Sequence, residues 1–194
     1  MALLFVTDFS SLKLFTLSFE KELMRLRYHD DSLTLVVRNH FVSLDFLRNT
    51  KEHLLDITHE IYNCQTALTI IDKAAWFKKI HGIHNLLIAP ISVKLPYINK
   101  VEFLNNYANL IKYFPAVSIV NIVRPNWALK ARIGTNLDTS HLGFVLKYAN
   151  QLTFWHATSI HKMVVCEPLN AYITKQLQID SICGINVQSI QGIN

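Results

Sequence analysis

Two strand-like segments, SHLGFVLKY from Ser140 and QLTFWHAT from Gln151, are joined by a short turn, for which Ala149-Asn150 is the two-residue choice. A two-residue connection between strand-like segments predicts an antiparallel hairpin and fixes its register. Tyr148 then pairs with Gln151, His156 falls opposite Gly143, and His141 lies one diagonal step away on the same side. Diagonal neighbours sit roughly 7 Å apart at the backbone, within reach of two imidazoles. Gly143, without a side chain, leaves space for the His156 ring. A connection with an odd number of residues would send the rings to opposite faces.

Three roles fit such a pair. In thiol catalysis one imidazole takes the proton of a cysteine and the second polar group holds that ring in its working tautomer. In a structural role both rings are half-buried and bonded to backbone carbonyls. Joined by His40 they would form a metal site, but no carboxylate or thiolate accompanies them at a recognisable interval. Neither a metal nor another cofactor is expected.

The remaining composition narrows the class. Of 194 residues 51% are apolar and 17% charged, which excludes a disordered chain and allows one well-buried core in a single domain, 1–194. Apolar runs such as Leu3 to Val6 and Leu86 to Ala89 are too short to span a bilayer. The 19 basic and 14 acidic residues leave a charge of +5. They are scattered, with no aromatic-interleaved basic stripe, so no nucleic-acid partner is expected. Cys64, Cys166 and Cys183 are too widely spaced for a zinc or disulfide framework. The start, MALLFVTDFSSLKLF, is interrupted by Asp8 and lacks a basic opening, so the chain as written carries no export signal and reads as cytoplasmic.

Apolar spacing at Leu12, Phe15, Phe19, Leu23 and Leu26 predicts a helix over 11–27, with Ser18 a candidate cap. SLTLVVRNHF from Ser32 reads as a strand, and DFLRNTKEHLLDITHEIYN as short helix or irregular structure. QTALTII reads as a strand, followed by a helix that Asp72 caps. LLIAPISVKLPYI is extended, held to edge or irregular pairing by Pro90 and Pro96. VEFLNNYANLIKYF is a helix stopped before Pro115, VSIVNIVRP a strand, and NWALKARIGTNLDT a loop. After the hairpin come a third strand, KMVVCEP, a helix, LNAYITKQLQI, and a last strand, GINVQSI. The order implies an α+β fold with a mostly antiparallel sheet and flanking helices.

SHLGF followed by WHATS is similar to the Ser-His-Val-Gly and His-Ala-Ser strands of papain-like, NlpC-type cysteine hydrolases. NIVRPNWALKARIGTNLDTSHLGFVLKYANQLTFWHATSIHKMVVCEPLNAYI resembles the C-terminal half of the DUF1460, N-acetylmuramyl-L-alanine-amidase-like family within that group. LRYHDDSLTLVVRNHF, LDFL, DITHEI and IDKAAWF look like earlier family blocks, in order. The resemblance implies a cell-wall amidase or peptidase acting on peptidoglycan peptides or another amide substrate, in the periplasm or outside the cell. His141 would be the general base and His156 its orienting partner. Arg38, Asn39, His40 and Asp45 would border the cleft, with Asn126, Trp127 and Ser140 on the substrate side; Trp127 reads equally as core packing. Arg38 and Asp45 would form either a buried, shape-fixing ion pair or an ordinary surface one.

The family's nucleophilic cysteine precedes the RYxxG and RNHF blocks at a helix start, where unpaired N–H groups and the helix dipole favour a thiolate. MALLFVTDFSSLKLFTLSFEKELMR contains no cysteine. The resemblance therefore implies an N-terminally incomplete domain, missing the nucleophile helix, or an inactive paralogue that binds muropeptides without cutting them. Cys64, in NCQTALTIID, imitates the missing phrase and is the candidate nucleophile this chain offers, but it follows RNHF and lacks the phrase's continuation. Cys166 and Cys183 are expected to be buried thiols. Nothing near Ser10 or Ser11 marks an activated hydroxyl.

Overall fold

The helical spacing after Ser11 is realised as α1, Leu12–Arg27, in a computed structural model that describes residue 6 and residues 9–30, 32–125 and 127–192. Its cap is Ser11, whose Oγ accepts from the Leu14 N–H at 3.2 Å; Ser18 lies inside the helix. Contacts divide the chain after His53 into two units. In the first, SLTLVVRNHF forms no strand. Among the described residues one isolated bridge, Tyr28 to Arg38, is its ladder, and the chain turns at 35–37. Side chains hold the segment instead. Asn39 Nδ2 donates to Leu26 O at 2.9 Å, and His40 Nε2 lies 2.7 Å from Leu35 O. The buried Asp45 carboxylate accepts from the N–H groups of His40 and Phe41 at 3.0 and 3.2 Å. It thereby caps the π-helical turn Val42–Phe46, which runs into α2, Leu47–Asn49. Among the described residues no Arg38–Asp45 ion pair is found; the Asp45 Oδ2 bonds the two backbone N–H groups.

The second unit begins with β1, Leu54–Asp56, and α3, Thr58–Ile61, before β2, Gln65–Ile71. Asp72 Oδ1 accepts from Ala75 N–H at 2.8 Å and caps α4, Lys73–His81, as its sequence predicts. β3, Ile91–Asn99, pairs with β2 from Ile91 to Tyr97 and with β8 only through Ile98 and Asn99, so Pro96 lies where β3 has a ladder on one side alone, as its proline requires. The Pro96 carbonyl accepts from Asn186 Nδ2 on the far side from β2. A strand residue's N–H and C=O point the same way, so the missing donor costs no β2 bond.

The expected helix over 101–114 breaks into α5, Lys100–Asn105, α6, Tyr107–Leu110, and a 3-10 turn, Ile111–Tyr113. Asn106 breaks it, its side chain bonding Glu102 O and Tyr62 Oη in competition with the helical ladder. β4, Val117–Val123, leads through a short α7, Lys130–Ile133, to β5, Thr139–Tyr148, and β6, Gln151–Thr158. β7, Met163–Pro168, α8, Leu169–Gln176, and β8, Gly184–Ile190, complete the order.

The eight strands form one antiparallel sheet in the order β2-β3-β8-β4-β5-β6-β7, with β1 also on β8. One face carries Ile98, Val120, Ile122, Val145, Phe154 and Ile185, packed against Phe103, Leu110, Leu169 and Ile173 from the helices. On the other face Asn121 and Asn186 lie opposite each other, both fully buried. Asn186 Oδ1 accepts from Asn121 Nδ2 at 3.0 Å and Gln188 Nε2 at 2.7 Å, while its Nδ2 reaches Asp56 Oδ2 and Thr58 Oγ1 at 2.7 and 3.0 Å. Among the described residues no helix is long and apolar enough to cross a membrane. Because Asn186 satisfies several buried groups at once, Asn186→Leu is expected to cost about 3 kcal/mol, read from urea unfolding.

Candidate functional site

The β5–β6 hairpin has the register that its two-residue turn dictates, from Phe144 opposite Trp155 to Tyr148 opposite Gln151, with Ala149 turning at φ +49°. His141 and His156 share the core face. At Gly143 a Cβ would stand 2.7 Å from Phe154 Cε2 and 2.9 Å from His156 Cβ. The bare backbone is what lets the β6 rings lie flat there. Next door, β6 pairs His156 with Val165 of β7, so Glu167 is a diagonal neighbour on the same face. α8 follows directly and lays Tyr172 and Lys175, one helical turn apart, over that surface.

These residues form a continuous chain. His141 Nε2 lies 2.8 Å from His156 Nδ1, His156 Nε2 lies 3.3 Å from Glu167 Oε1, and Lys175 Nζ donates to Glu167 Oε2 at 2.6 Å. An ionised Glu167 accepts only, so His156 carries its proton on Nε2 and offers a lone pair at Nδ1. His141 must then donate from Nε2, which leaves its Nδ1 unprotonated. One carboxylate therefore sets both tautomers and makes His141 the proton acceptor of the array.

Electrostatics agree with this assignment. Burial pushes the Glu167 carboxyl up, but hydrogen bonds from Lys175 and His156 outweigh it and hold the group below the usual range. Burial, with His156 beside it, lowers the His141 imidazole below its ordinary value. The burial comes from a cage of rings: His141 meets Phe154 edge-on at 6.1 Å, and His156 stacks on Phe154 at 4.7 Å. Tyr172 lies 5.0 Å from His156, its phenol pushed up to about 12 by burial and by Glu167, so it stays neutral.

A cavity of about 730 Å³, ample for a small organic ligand, opens beside the array. His141, His156, Ser140 and Trp127 line it together with Arg124, Glu167, Tyr172 and Lys175. Trp127 is thus a cavity wall as well as a packed ring. Asn126 lies outside the described residues. Within the first unit, Arg38 bridges to Tyr28, and Asn39, His40 and Asp45 knit the loop after α1. Sequence reasoning missed Glu167, Lys175, Tyr172 and Arg124. The acid in KMVVCEP was the available signal, but the longer β6–β7 connection left its register open.

None of the three cysteines lines this cavity. Cys64 stands at the start of β2, four strand spacings or about 19 Å along the sheet from β5. Its thiol lies 2.8 Å from His59 Nδ1, and burial and Asp56 raise its pKa, so it is a protonated thiol hydrogen-bonded to another histidine. Cys166 faces away from His156, opposite Trp155, and is exposed rather than buried; Cys183 is half-buried. The expectation of a buried thiol fails at Cys166 because β7 is the outermost strand and its outer face has no covering layer of helices. Among the described residues no cluster of three His, Cys, Asp or Glu is placed to hold a metal.

Two outcomes follow from this geometry. Gly143→Ala forces the Phe154 and His156 rings to move and is expected to cost about 1–3 kcal/mol in urea unfolding. The unfolded chain takes a proton at His141 near pH 6.5, the folded chain only at lower pH. The stability owed to the neutral ring is complete above that pH and is lost as pH falls through the folded value. Thermal melts from pH 7 to 5 should show this decline, with a flatter profile in His141→Gln.

The AmiA-like family model, described as N-acetylmuramoyl-L-alanine amidase-like, matches residues 4–179. A Legionella pneumophila protein of the DUF1460 family has a similar solved structure, with a TM-score of 0.85 and 28% identity over 97% of this chain and 72% of that one. An N-acetylmuramoyl-L-alanine amidase from Bacteroides uniformis shares the fold, with a TM-score of 0.65 and 19% identity over 97% of this chain and 80% of that one. No curated protein matches the sequence significantly. The family match, over residues 4–179, spans both histidine strands and Glu167: the protein belongs to the N-acetylmuramoyl-L-alanine amidase-like family.

Proposed function

We propose that this chain carries the proton-transfer half of a papain-like, NlpC-type site for amides of peptidoglycan peptides. The single observation that supports this reading most is the unbroken His141–His156–Glu167–Lys175 chain beside a ligand-sized cavity. In a complete site of this kind, a thiol would lose its proton to His141 Nδ1 as its sulfur attacks the amide carbon. His141, now cationic, would be steadied through His156 by Glu167 and would return the proton to the departing amine. Water would then release the acid from the thioester, with His141 again taking the proton.

A second reading is favoured by a specific observation: the sequence's three cysteines all lie outside the cavity. On it, the 194-residue polypeptide binds muropeptides without cutting them, whether as a binding module or as a degenerate paralogue. Incubation with N-acetylmuramyl-L-alanyl peptides, followed by mass spectrometry, separates the two. The expected result for the 194-residue polypeptide is micromolar association by calorimetry, about −8 kcal/mol, without product. Turnover abolished by alkylation of Cys64 would overturn the argument against that thiol. Turnover that His141→Ala leaves unchanged would overturn the assignment of the base.

A further inference from the structure

We propose that Arg124 is the carboxylate anchor of the His141 cavity, so that the preferred ligand carries a free carboxylate close to the amide that faces His141. The proposal rests on the amidase-like reading for the amide and on independent geometry for the anion. β4 delivers Arg124 to the cavity. Ile122 pairs with His141, Val123 with Thr139, and the Arg124 N–H donates to Asp138 O at 2.7 Å. Arg124 therefore enters one diagonal step from His141, about 7 Å away at the backbone.

Its side chain is held in advance. Nε donates to Ser181 Oγ at 2.8 Å, and the guanidinium carbon lies 4.5 Å over the Trp127 ring. Those two contacts fix the plane of the fork while leaving both Nη groups without a hydrogen-bond partner among the described residues. Lys175, which lines the same cavity, is occupied by Glu167. Arg124 is thus the one Lys or Arg of the cavity without an acidic partner among the described residues, and it is half-buried. A partly desolvated guanidinium favours an anion, and a planar fork matches the two oxygens of a carboxylate. A phosphate would call for a further cation to meet its third oxygen, and Lys175 is engaged elsewhere.

Titration calorimetry on the 194-residue protein tests this with N-acetylmuramyl-L-alanyl-D-glutamate, its bis-amide, L-alanyl-D-glutamate, its bis-amide, and methyl phosphate. Each acid is expected to bind at least about tenfold tighter than its amide, the weight of one charge-assisted hydrogen bond or more. Arg124→Gln should erase that preference while leaving the amides unchanged, and Arg124→Lys should keep only part of it. Circular dichroism and melting verify that both variants are folded. Equal affinity for acids and amides, loss of all probes together in folded Arg124→Gln, no binding by any probe, or tighter binding of methyl phosphate than of the acids would each overturn the anchor. Acid preference with no gain from the sugar keeps the anchor and counts against the peptidoglycan reading. Sugar-dependent binding without acid preference does the reverse.

Discussion

The histidine-bearing face of the sheet depends on a missing side chain. At Gly143 the β5 backbone comes within van der Waals range of Phe154 and His156, closer than a Cβ would allow. That approach lets His156 lie low enough on the sheet for its Nδ1 to meet His141, and it buries both rings against Phe154. The same contact serves the core and the hydrogen-bonded rings, because the sheet face that builds the core continues directly into the histidine pair. Val145 and Phe154, fully buried, are two residues from Gly143 and His156.

Polarity enters this apolar face in an ordered way. Lys175 holds Glu167 ionised, Glu167 fixes the His156 proton, and His156 fixes that of His141. With Glu167 ionised and both rings neutral, each link has a definite donor and acceptor. Burial then keeps the terminal imidazole neutral, which is the state a proton acceptor needs. On the far side of the sheet the Asn121–Asn186–Gln188 cluster uses the same logic for stability alone, with amides that hold no labile proton.

What could be read in advance was local. Ala149-Asn150 set the hairpin register because two residues admit one antiparallel pairing, and Asp72 capped α4 because its carboxylate reaches the first free N–H groups. Failures came where a residue's partner lies far along the chain. SLTLVVRNHF has strand composition but, among the described residues, only one isolated bridge, and side chains of Asn39, His40 and Asp45 organise it. On the side of Pro96 away from β2, its carbonyl is met by an Asn186 side chain that no local rule could place. Asn106 broke a helix by bonding a tyrosine 44 residues away.

For the site itself, sequence determined the rings, their shared face and the space between them, since a strand's period of two and a short turn depend on neighbouring residues only. Tertiary structure decided the rest. Glu167 joins through a register that the longer β6–β7 connection does not set, Lys175 through the docking of α8, and Arg124 through β4 lying beside β5. It also carried Cys64 to the other side of the sheet, where strand order rather than any motif determines which histidine a thiol can meet.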